Sequence, residues 1–358
     1  MKKHNFSAGP SILENEVIKK ASKSVLELDN SGLSLLEISH RGNSFVEIME
    51  ESKSLTKKLL GITDTHEVLF LQGGASLQFY MSALNFFNEY GGGYIDTGTW
   101  SSKAIVEAKK IGNTHVIASS SDMNYNYIPK GFKIDNDLDY IHITSNNTIY
   151  GTQFQDFSEI KRFSKKTKVI CDMSSDIFSR NFDVNDFDLI YAGAQKNLGP
   201  AGATLVIIKK DSITAKENLP SYLDYKNHID KKSMFNTPPV FSIYVSLLTL
   251  RWLDKIGGIS VIEAKNTKKA KLLYNEIDRN QLIEGYSVKN DRSMMNVTFS
   301  INDLKMQNKF NEICNENGIV GIKGHRSVGG FRASIYNAMN FESVEALVEI
   351  MKELEKKI

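Results

Sequence analysis

Hydrophobic and polar residues follow two regular patterns along this chain, and together these patterns predict an α/β protein. Apolar residues recur every three to four positions over 12–28 and 45–60, which predicts two amphipathic helices. From residue 67 onward, short apolar runs typical of buried strands alternate with helical patterns. Strands are expected at 68–71, 94–95, 114–118, 140–144, 168–172, 187–191 and 204–208. This order predicts a mostly parallel central sheet flanked by helices, with ligands at the carboxyl ends of its strands.

The pattern changes after Asn236-Thr-Pro-Pro239, which precedes a strongly apolar helix over 240–256 and a periodic helix over 261–277. The remaining segments are expected as a strand at 295–299, a helix at 303–317, a strand at 331–335 and a last helix to 354. We therefore expect a large α/β domain over 16–258 and a smaller α+β domain over 259–358, which also includes the N-terminal segment 1–15.

The composition of the chain argues against several kinds of binding partner. The 358 residues are 41% hydrophobic and 24% charged, and their formal net charge is +2, so no general field attracts nucleic acid or an anionic membrane. No stretch is apolar for long enough to span a bilayer, and the N-terminus lacks the apolar core of a signal peptide. Cys171 and Cys314 are far apart and suggest neither a disulfide framework nor a metal site. We expect a cytoplasmic protein without a metal.

Lys196 is the residue with the clearest candidate chemistry. It lies among small residues in Ala192-Gly-Ala-Gln195-Lys196, between two predicted strands, and therefore at the rim of the sheet. A desolvated lysine near other positive charge loses proton affinity, and its neutral amine can attack a carbonyl carbon. We hypothesise that Lys196 holds an aldehyde cofactor as a Schiff base; the alternative is a solvated loop lysine.

The Gly73-Gly74-Ala75-Ser76 run lies between a predicted strand and a helix expected over 77–90. Such a turn directs free backbone N–H groups and the positive end of a helix at one point, which suits a phosphate. The run is neither a G-x-G-x-x-G motif nor a Walker P-loop, and ordinary turns also use paired glycines.

Several runs, taken in order, resemble the phosphoserine aminotransferase family of class V pyridoxal-phosphate enzymes, and the resemblance covers nearly the whole chain. These runs are Asn5-Phe-Ser-Ala-Gly-Pro10, Ser39-His-Arg-Gly42, Gly73-Gly-Ala-Ser-Leu-Gln-Phe79, Cys171-Asp-Met-Ser-Ser-Asp176, Ala192-Gly-Ala-Gln-Lys-Asn197, Asn236-Thr-Pro-Pro239 and Gly324-His-Arg-Ser-Val-Gly-Gly-Phe-Arg-Ala-Ser-Ile-Tyr-Asn-Ala338. The resemblance implies the type I fold of pyridoxal-phosphate-dependent transferases.

The resemblance also implies a role for individual residues toward pyridoxal 5′-phosphate. Lys196 and Asp172 are implied to be catalytic, with the Asp172 carboxylate beside the ring nitrogen. The implied cofactor-binding residues are Ala75, Ser76, Trp100, Thr148, Asp172, Ser174, Gln195, Lys196, Asn236 and Thr237, with Asn236 and Thr237 reaching the phosphate from a neighbouring subunit. Many relatives carry an arginine where Ser76 stands, so neutral donors are expected to hold more of the phosphate here.

The implied reaction transfers an amino group between phosphoserine and 2-oxoglutarate, in serine biosynthesis. Arginine suits such substrates because its planar fork binds carboxylate and phosphate groups bidentately. Arg332 is implied to take the α-carboxylate, and the implied receptors of the distal anion are His40, Arg41, His325 and Arg326, some from each subunit of a homodimer. The sequence does not decide whether the protein also uses 4-phosphohydroxythreonine, in vitamin B6 biosynthesis.

Other functions remain as alternatives. A cysteine desulfurase needs a mobile cysteine, and an alanine–glyoxylate aminotransferase has no use for paired His and Arg residues. Outside this fold class, a cofactor-free protein that binds phosphorylated ligands and a nucleotide-dependent dehydrogenase are the rivals. The chain contains no G-x-G-x-x-G motif, which counts against the dehydrogenase.

Overall fold

The computed structural model describes residues 3–134, 137–163, 167–213 and 216–356. Its helices are α1 Asn15–Leu26, α2 Asn43–Leu60, α3 Gly74–Phe86, α4 Thr99–Ala108, α5 Ser158–Lys161, α6 Tyr225–Asp230, α7 Val240–Lys255, α8 Gly258–Arg279, α9 Leu304–Glu316 and α10 Phe341–Glu355. Its strands are β1 His4–Asn5, β2 His66–Leu71, β3 Gly92–Asp96, β4 Thr114–Ser119, β5 Tyr140–Thr144, β6 Asn146–Asn147, β7 Thr152–Gln153, β8 Lys168–Asp172, β9 Leu189–Gly193, β10 Thr204–Lys209, β11 Ile283–Gly285, β12 Asn296–Ile301, β13 Ile319–Val320 and β14 Phe331–Ser334.

A central seven-stranded sheet has the order β2-β10-β9-β8-β5-β3-β4. Strand β10 runs antiparallel to both of its neighbours, and the other pairs are parallel. The mostly parallel central sheet predicted from the sequence is therefore confirmed. Because β10 reverses direction between β2 and β9, those two strands are parallel, and β2 ends at the same edge as β3, β5, β8 and β9.

Helices cover both faces of this sheet, which explains why its strands are apolar on both sides. Alternate residues of β10 show this: Leu205 and Ile207 pack into a core with α1, α2 and α7, whereas Val206 and Ile208 pack into a core with α3 and α4. The central sheet is thus the middle layer of three.

A second core lies in the C-terminal part of the chain. It is built on the antiparallel sheet β11-β12-β14, against which α8, α9 and α10 pack. The N-terminal segment joins it, because β1 pairs with β13 and Phe6 is fully buried in the same core. Helix α8 connects the two cores: Ile259 packs in the first and Leu273 in the second. The domain boundary at 258/259 stays a prediction.

Asn337 joins the two parts of the chain near the predicted site. Its backbone N–H donates to Asn197 Oδ1 at 3.0 Å, and its Nδ2 donates to the carbonyl of Phe178 at 2.9 Å. The Nδ2 of Asn266, on α8, donates to Asn337 Oδ1 at 2.8 Å. These bonds tie the segment after β14 to the residue that follows Lys196.

Several predicted boundaries were wrong. The first helix spans 15–26 rather than 12–28, and α3 spans 74–86 rather than 77–90. Strand β9 starts at Leu189 instead of residue 187, and α8 is longer at both ends than the predicted 261–277. Among the described residues, no helix combines the length and apolar character that crossing a membrane requires.

Candidate active site

A pocket opens at the edge where β2, β3, β5, β8 and β9 end. Its volume is about 550 Å³ when the open mouth is included. The lining residues are Gly74, Ala75, Ser76, Phe79, Trp100, Thr144, Asn146, Thr148, Asp172, Ser174, Ser175, Gln195 and Lys196. The structure therefore brings together residues that the sequence separates by more than a hundred positions.

Lys196 lies in the turn after β9, with its amine inside the pocket. The side chain is buried, and Nζ donates to Thr148 Oγ1 at 2.7 Å. Burial lowers the pKa of Lys196 to about 8; the nearby Arg332 charge also lowers this pKa, while Asp172 raises it. A lysine with this pKa is partly neutral near physiological pH, so it can act as a nucleophile or as a base.

The N-terminal segment fixes the backbone of Lys196, a contact that sequence reasoning did not find. Ser11 Oγ donates to the carbonyl of Lys196 at 2.6 Å, and the Ser11 N–H donates to the carbonyl of Gln195 at 3.0 Å. The resemblance had marked the Asn5–Pro10 run without assigning it a contact. These bonds hold the turn, so the Lys196 amine has a defined starting position.

Asp172 is the last residue of β8 and lines the same pocket as Lys196. Its Oδ1 accepts a hydrogen bond from the Ser174 N–H at 2.9 Å. Burial raises the pKa of Asp172, and the bonds from Ser174 and the Lys196 charge oppose this effect. Within the described part of the chain no lysine or arginine forms an ion pair with Asp172. A cationic N–H group in the pocket would therefore stabilise the carboxylate.

Trp100 forms a wall of the pocket, and an aspartate fixes the helix turn that carries it. The Lys196 amine lies 6.0 Å from the centre of the Trp100 ring. In the first turn of α4, Asp96 Oδ1 accepts from Ser101 Oγ at 2.9 Å and from Ser102 Oγ at 2.8 Å. Asp96 Oδ2 accepts from Tyr125 OH at 3.1 Å. Asp96 thereby positions Trp100, although no motif in the sequence had indicated it.

Ala75 and Ser76 lie in the first turn of α3, not in a separate loop before it. Gly73 caps the helix with φ of 89°, and because glycine has no side chain it cannot accept a hydrogen bond from the first turn. A Cβ on Gly73 would lie 2.5 Å from Leu77, so glycine is needed at this position. The free N–H groups face a pocket, which is the arrangement that binds phosphate groups.

Arg332 lies beside this pocket on β14. Its Nη1 donates to the carbonyl of Thr148 at 3.3 Å, while its buried Nε has no partner in the part of the chain that the structure describes. Thr148 therefore contacts both Arg332, through its carbonyl, and Lys196, through its hydroxyl. The unpaired donor leaves Arg332 able to bind an anion next to the Lys196 amine.

His325 and Arg326 lie near Arg332 in the loop before β14. His325 Nδ1 is 2.7 Å from Ser327 Oγ. The pKa of His325 is lowered, first by burial and then by the charges of Arg332, Arg326 and Lys103. All of these neighbours are basic, so this end of the site is suited to an anion.

Besides Arg332, His325 and Arg326, which lie next to the pocket without lining it, four more of the expected residues are absent from the lining of their own chain's pocket. Arg41, Asn236 and Thr237 are exposed, and His40 is half-buried. Thr237 accepts from Gln72 Nε2 through its carbonyl at 2.8 Å, and Asn236 contacts Tyr222. None of the four lines the pocket.

Some pocket residues were missed at the level of sequence. Thr144, Asn146, Phe79 and Ser175 line the cavity, and Thr144 Oγ1 is buried without a partner among the described residues. Thr144 ends β5, directly opposite Asp172 at the end of β8. The rule that ligands gather at strand ends could have found it, because it is the last residue of a predicted strand.

The site offers groups for organic chemistry rather than for a metal. Among the residues described, no group of three or more His, Cys, Asp or Glu could hold a metal ion. The pocket combines a lysine of low proton affinity, a buried carboxylate, an aromatic wall, a helix N-terminus and a cluster of cations. Such a set can bind an aldehyde that carries a phosphate and move a proton beside it.

Comparisons with known proteins agree with this geometry. The family model described as Aminotransferase class-V matches residues 3–347. A phosphoserine aminotransferase from Flavobacterium johnsoniae is 55% identical over 361 residues, covering 100% of both chains. The solved phosphoserine aminotransferase from Bacillus circulans subsp. alkalophilus superimposes with a TM-score of 0.96 at 42% identity, covering 99% of each chain. The solved pyridoxal-phosphate-bound phosphoserine aminotransferase from Trichomonas vaginalis superimposes with a TM-score of 0.91 at 36% identity. The match covers 98% of this chain and 100% of that one.

Proposed function

The chain belongs to the class-V aminotransferase family, and we propose that it transfers an amino group reversibly between O-phospho-L-serine and 2-oxoglutarate, in serine biosynthesis. The products are 3-phosphohydroxypyruvate and L-glutamate, and the cofactor is pyridoxal 5′-phosphate. The observation that carries the proposal is the buried Lys196 amine, 2.7 Å from Thr148 Oγ1 and inside a pocket that also contains Asp172 and Trp100.

The residues present fit this cofactor. The uncapped first turn of α3, with Ala75 and Ser76, suits its phosphate, and Gln195 lines the same pocket. Burial raises the pKa of the Asp172 carboxylate and the Lys196 charge only partly opposes this, so a protonated ring nitrogen beside it would stabilise its charged form. The Ser174 N–H donates to that carboxylate. Thr148 would bind the hydroxyl group on the cofactor ring, and the Trp100 ring would stack on the cofactor ring. When bound, the cofactor supplies an electron sink for the carbon that loses a proton.

Lys196 is the group of this chain that moves the proton. Its amine lies in the pocket, 6.0 Å from the centre of the Trp100 ring. Its pKa of about 8 allows it to accept and return a proton near neutral pH. The hydrogen bond to Thr148 and the contact of Ser11 with the Lys196 backbone restrict where the amine can lie. Asp172, held by Ser174, keeps negative charge in the same pocket.

Substrate recognition is assigned to the basic groups beside the pocket. Arg332 binds the α-carboxylate through its free donor next to Lys196, and His325 and Arg326 receive the distal phosphate or γ-carboxylate. A phosphate and a carboxylate both accept hydrogen bonds from imidazole and guanidinium N–H groups, which allows one site to serve both substrates.

A homodimer completes the site in this proposal. His40, Arg41, Asn236 and Thr237 lie away from the pocket of their own chain and are at least partly exposed, so they are available to a second copy. His40 and Arg41 then add charge for the distal anion, and Asn236 and Thr237 approach the cofactor phosphate. We place the reaction in the cytoplasm, since Cys171 and Cys314 are free and buried. A side reaction with 4-phosphohydroxythreonine, in vitamin B6 biosynthesis, is compatible with the same anion site.

A substrate panel tests the proposal. The purified protein, loaded with pyridoxal 5′-phosphate, is given 2-oxoglutarate with phosphoserine, serine or alanine, and glutamate formation is measured. We expect kcat/KM for phosphoserine to exceed that for serine and alanine by at least about a hundredfold, because those two substrates leave the cation cluster without an anion. Equal use of alanine would instead favour an alanine-type aminotransferase. Failure to take up the cofactor would favour a phosphate-binding protein.

A further inference from the structure

Lys103 lies next to Trp100, a wall of the pocket, although neither the motifs nor the pocket lining include it. It follows Trp100 by three positions on α4, so both side chains share one face of that helix. The Lys103 ammonium lies 4.8 Å from the centre of the Trp100 ring, and this ring forms a wall of the pocket. A cation at this distance is held by the face of the indole.

The Lys103 charge has no acidic partner in the described part of the chain. Glu107, one turn further along α4, pairs with Lys110 at 2.7 Å instead. The side chain of Lys103 is exposed and forms neither an ion pair nor a hydrogen bond with described residues. Glu107 has the i+4 spacing for a pair with Lys103, but the Lys103 ammonium lies over the Trp100 ring instead.

The helix turn that precedes Lys103 is fixed by Asp96. Asp96 holds both Ser101 and Ser102 in the turn that carries Trp100, and the same helix continues through Lys103. Its charge lowers the pKa of His325, as the charges of Arg332 and Arg326 do. Lys103 therefore belongs to the cluster of cations that faces the distal end of the substrate.

We propose that Lys103 is a specificity-determining residue that favours substrates with the higher negative charge on their distal group. This inference rests on the proposed function, because it concerns the choice between a phosphate and a γ-carboxylate. A phosphate ester carries a charge of about −1.5 to −2 at neutral pH, against −1 for a carboxylate. Coulomb energy scales with charge, so removal of Lys103 should cost the phosphate nearly twice as much binding free energy as the carboxylate.

Unreactive ligands give the sharpest test. 3-Phosphoglycerate carries the carboxylate and phosphate of phosphoserine but a hydroxyl in place of the amine, and L-2-hydroxyglutarate is the matching analogue of glutamate. Their Kd values are measured by calorimetry on the holoenzyme for wild type, Lys103→Gln and Lys103→Arg. Lys109→Gln is the matched control, because Lys109 is an exposed lysine at the far end of the same helix.

For Lys103→Gln we expect 3-phosphoglycerate to bind about fourfold more weakly and 2-hydroxyglutarate about twofold more weakly, as for an exposed charge. Both losses should shrink as salt is raised from 0.05 to about 0.5 M, since screening weakens the wild-type attraction. Lys103→Arg should restore the wild-type ratio of the two Kd values. Lys109→Gln should leave it unchanged.

Two results would overturn the inference. Equal losses for both ligands would mean that Lys103 only supports the Trp100 ring, and no loss would mean that it is a solvated lysine. Failure of this inference can be distinguished from failure of the proposed function. If wild type does not transfer the amino group of phosphoserine, the proposed function is wrong. If wild type is active and the ratio of Kd values stays constant, only the role of Lys103 is wrong.

Discussion

At the residue scale, the proton affinity of Lys196 determines what the pocket can do. Burial lowers the pKa of this amine from 10.5 to about 8, despite the opposing charge of Asp172. Below pH 8 most of the Lys196 amine is protonated and cannot attack a carbonyl carbon. Above pH 8 most of it is neutral and can do so. The Arg332 charge acts with burial, so the anion receptor also keeps the lysine reactive.

This predicts the pH dependence of cofactor uptake. The rate at which the cofactor-free chain takes up pyridoxal 5′-phosphate should rise about tenfold per pH unit below pH 8 and level off above it. Stopped-flow absorbance measures the rate, and Lys196→Ala, which lacks the amine, is the blank. A rate that keeps rising to pH 10 would indicate an unperturbed lysine and contradict the account.

The sequence was sufficient to bring several residues into one site. Lys196, Asp172 and Trp100 all follow predicted strands, and the carboxyl ends of parallel strands meet at one edge of a sheet. The sequence could not indicate Lys103 or Ser11, because a helix lysine and a loop serine have no local feature that reveals a distant partner. Their roles depend on contacts with Trp100 and with the Lys196 backbone.

At the element scale, the first turn of α4 is the feature that positions Trp100. Asp96 accepts hydrogen bonds from Ser101, Ser102 and Tyr125, and thus joins the end of β3 to the start of α4. A carboxylate beside a helix N-terminus is further stabilised by the helix dipole. Loss of this carboxylate should loosen the turn and the indole.

We predict that Asp96→Ala lowers the fluorescence anisotropy of Trp100 and reduces kcat about ten- to a hundredfold. The chain has two tryptophans, so the measurement uses a Trp252→Phe background that leaves Trp100 as the emitter. Asp122→Ala is the control, because Asp122 is exposed and its carboxylate accepts from Tyr127 in a turn after β4. Unchanged anisotropy in the Asp96 variant would show that Trp100 is held by other contacts.

Helix boundaries show where local pattern stops being informative. The paired glycines predicted a turn up to residue 76, but Gly73 acts as the N-cap and α3 already starts at Gly74. The helix ends at Phe86 rather than at residue 90, where the chain instead binds Asp139: the N–H groups of Asn88, Tyr90 and Gly91 all donate to its carboxylate. That partner lies some fifty residues away in sequence, so the pattern of residues 77–90 contains no sign of it.

At the scale of the whole molecule, the predicted sheet and the order of its layers followed from the alternation of strands and helices. The reversed strand β10 did not, because a buried strand has the same sequence pattern in either direction. The N-terminal segment contacts both cores, through the pairing of β1 with β13 and through the bond from Ser11 to the Lys196 carbonyl. The homodimer, and the part that His40, Arg41, Asn236 and Thr237 play in it, stays a prediction.

Mixed dimers test whether two chains share a site. Lys196→Ala and Arg41→Ala chains, each inactive or weakly active alone, are mixed and exchanged by mild denaturation. If Arg41 acts in the partner's pocket, half of the dimers are hybrids with one intact site, and about a quarter of wild-type activity should return. Mixing Lys196→Ala with Asp172→Ala is the control, because both residues line the same chain's pocket and no site is restored. Activity no greater than that of the unmixed variants would place Arg41 outside a shared site.

The most direct test of the central claim is the rate of glutamate formation from phosphoserine and 2-oxoglutarate by wild type and by Lys196→Ala, both with pyridoxal 5′-phosphate present. The account predicts turnover by wild type and a loss of at least about a thousandfold in the variant, because no other group in the pocket can replace the buried amine as nucleophile and base. Circular dichroism and thermal unfolding verify that the variant is folded. Turnover by the folded variant at the wild-type rate would contradict the account.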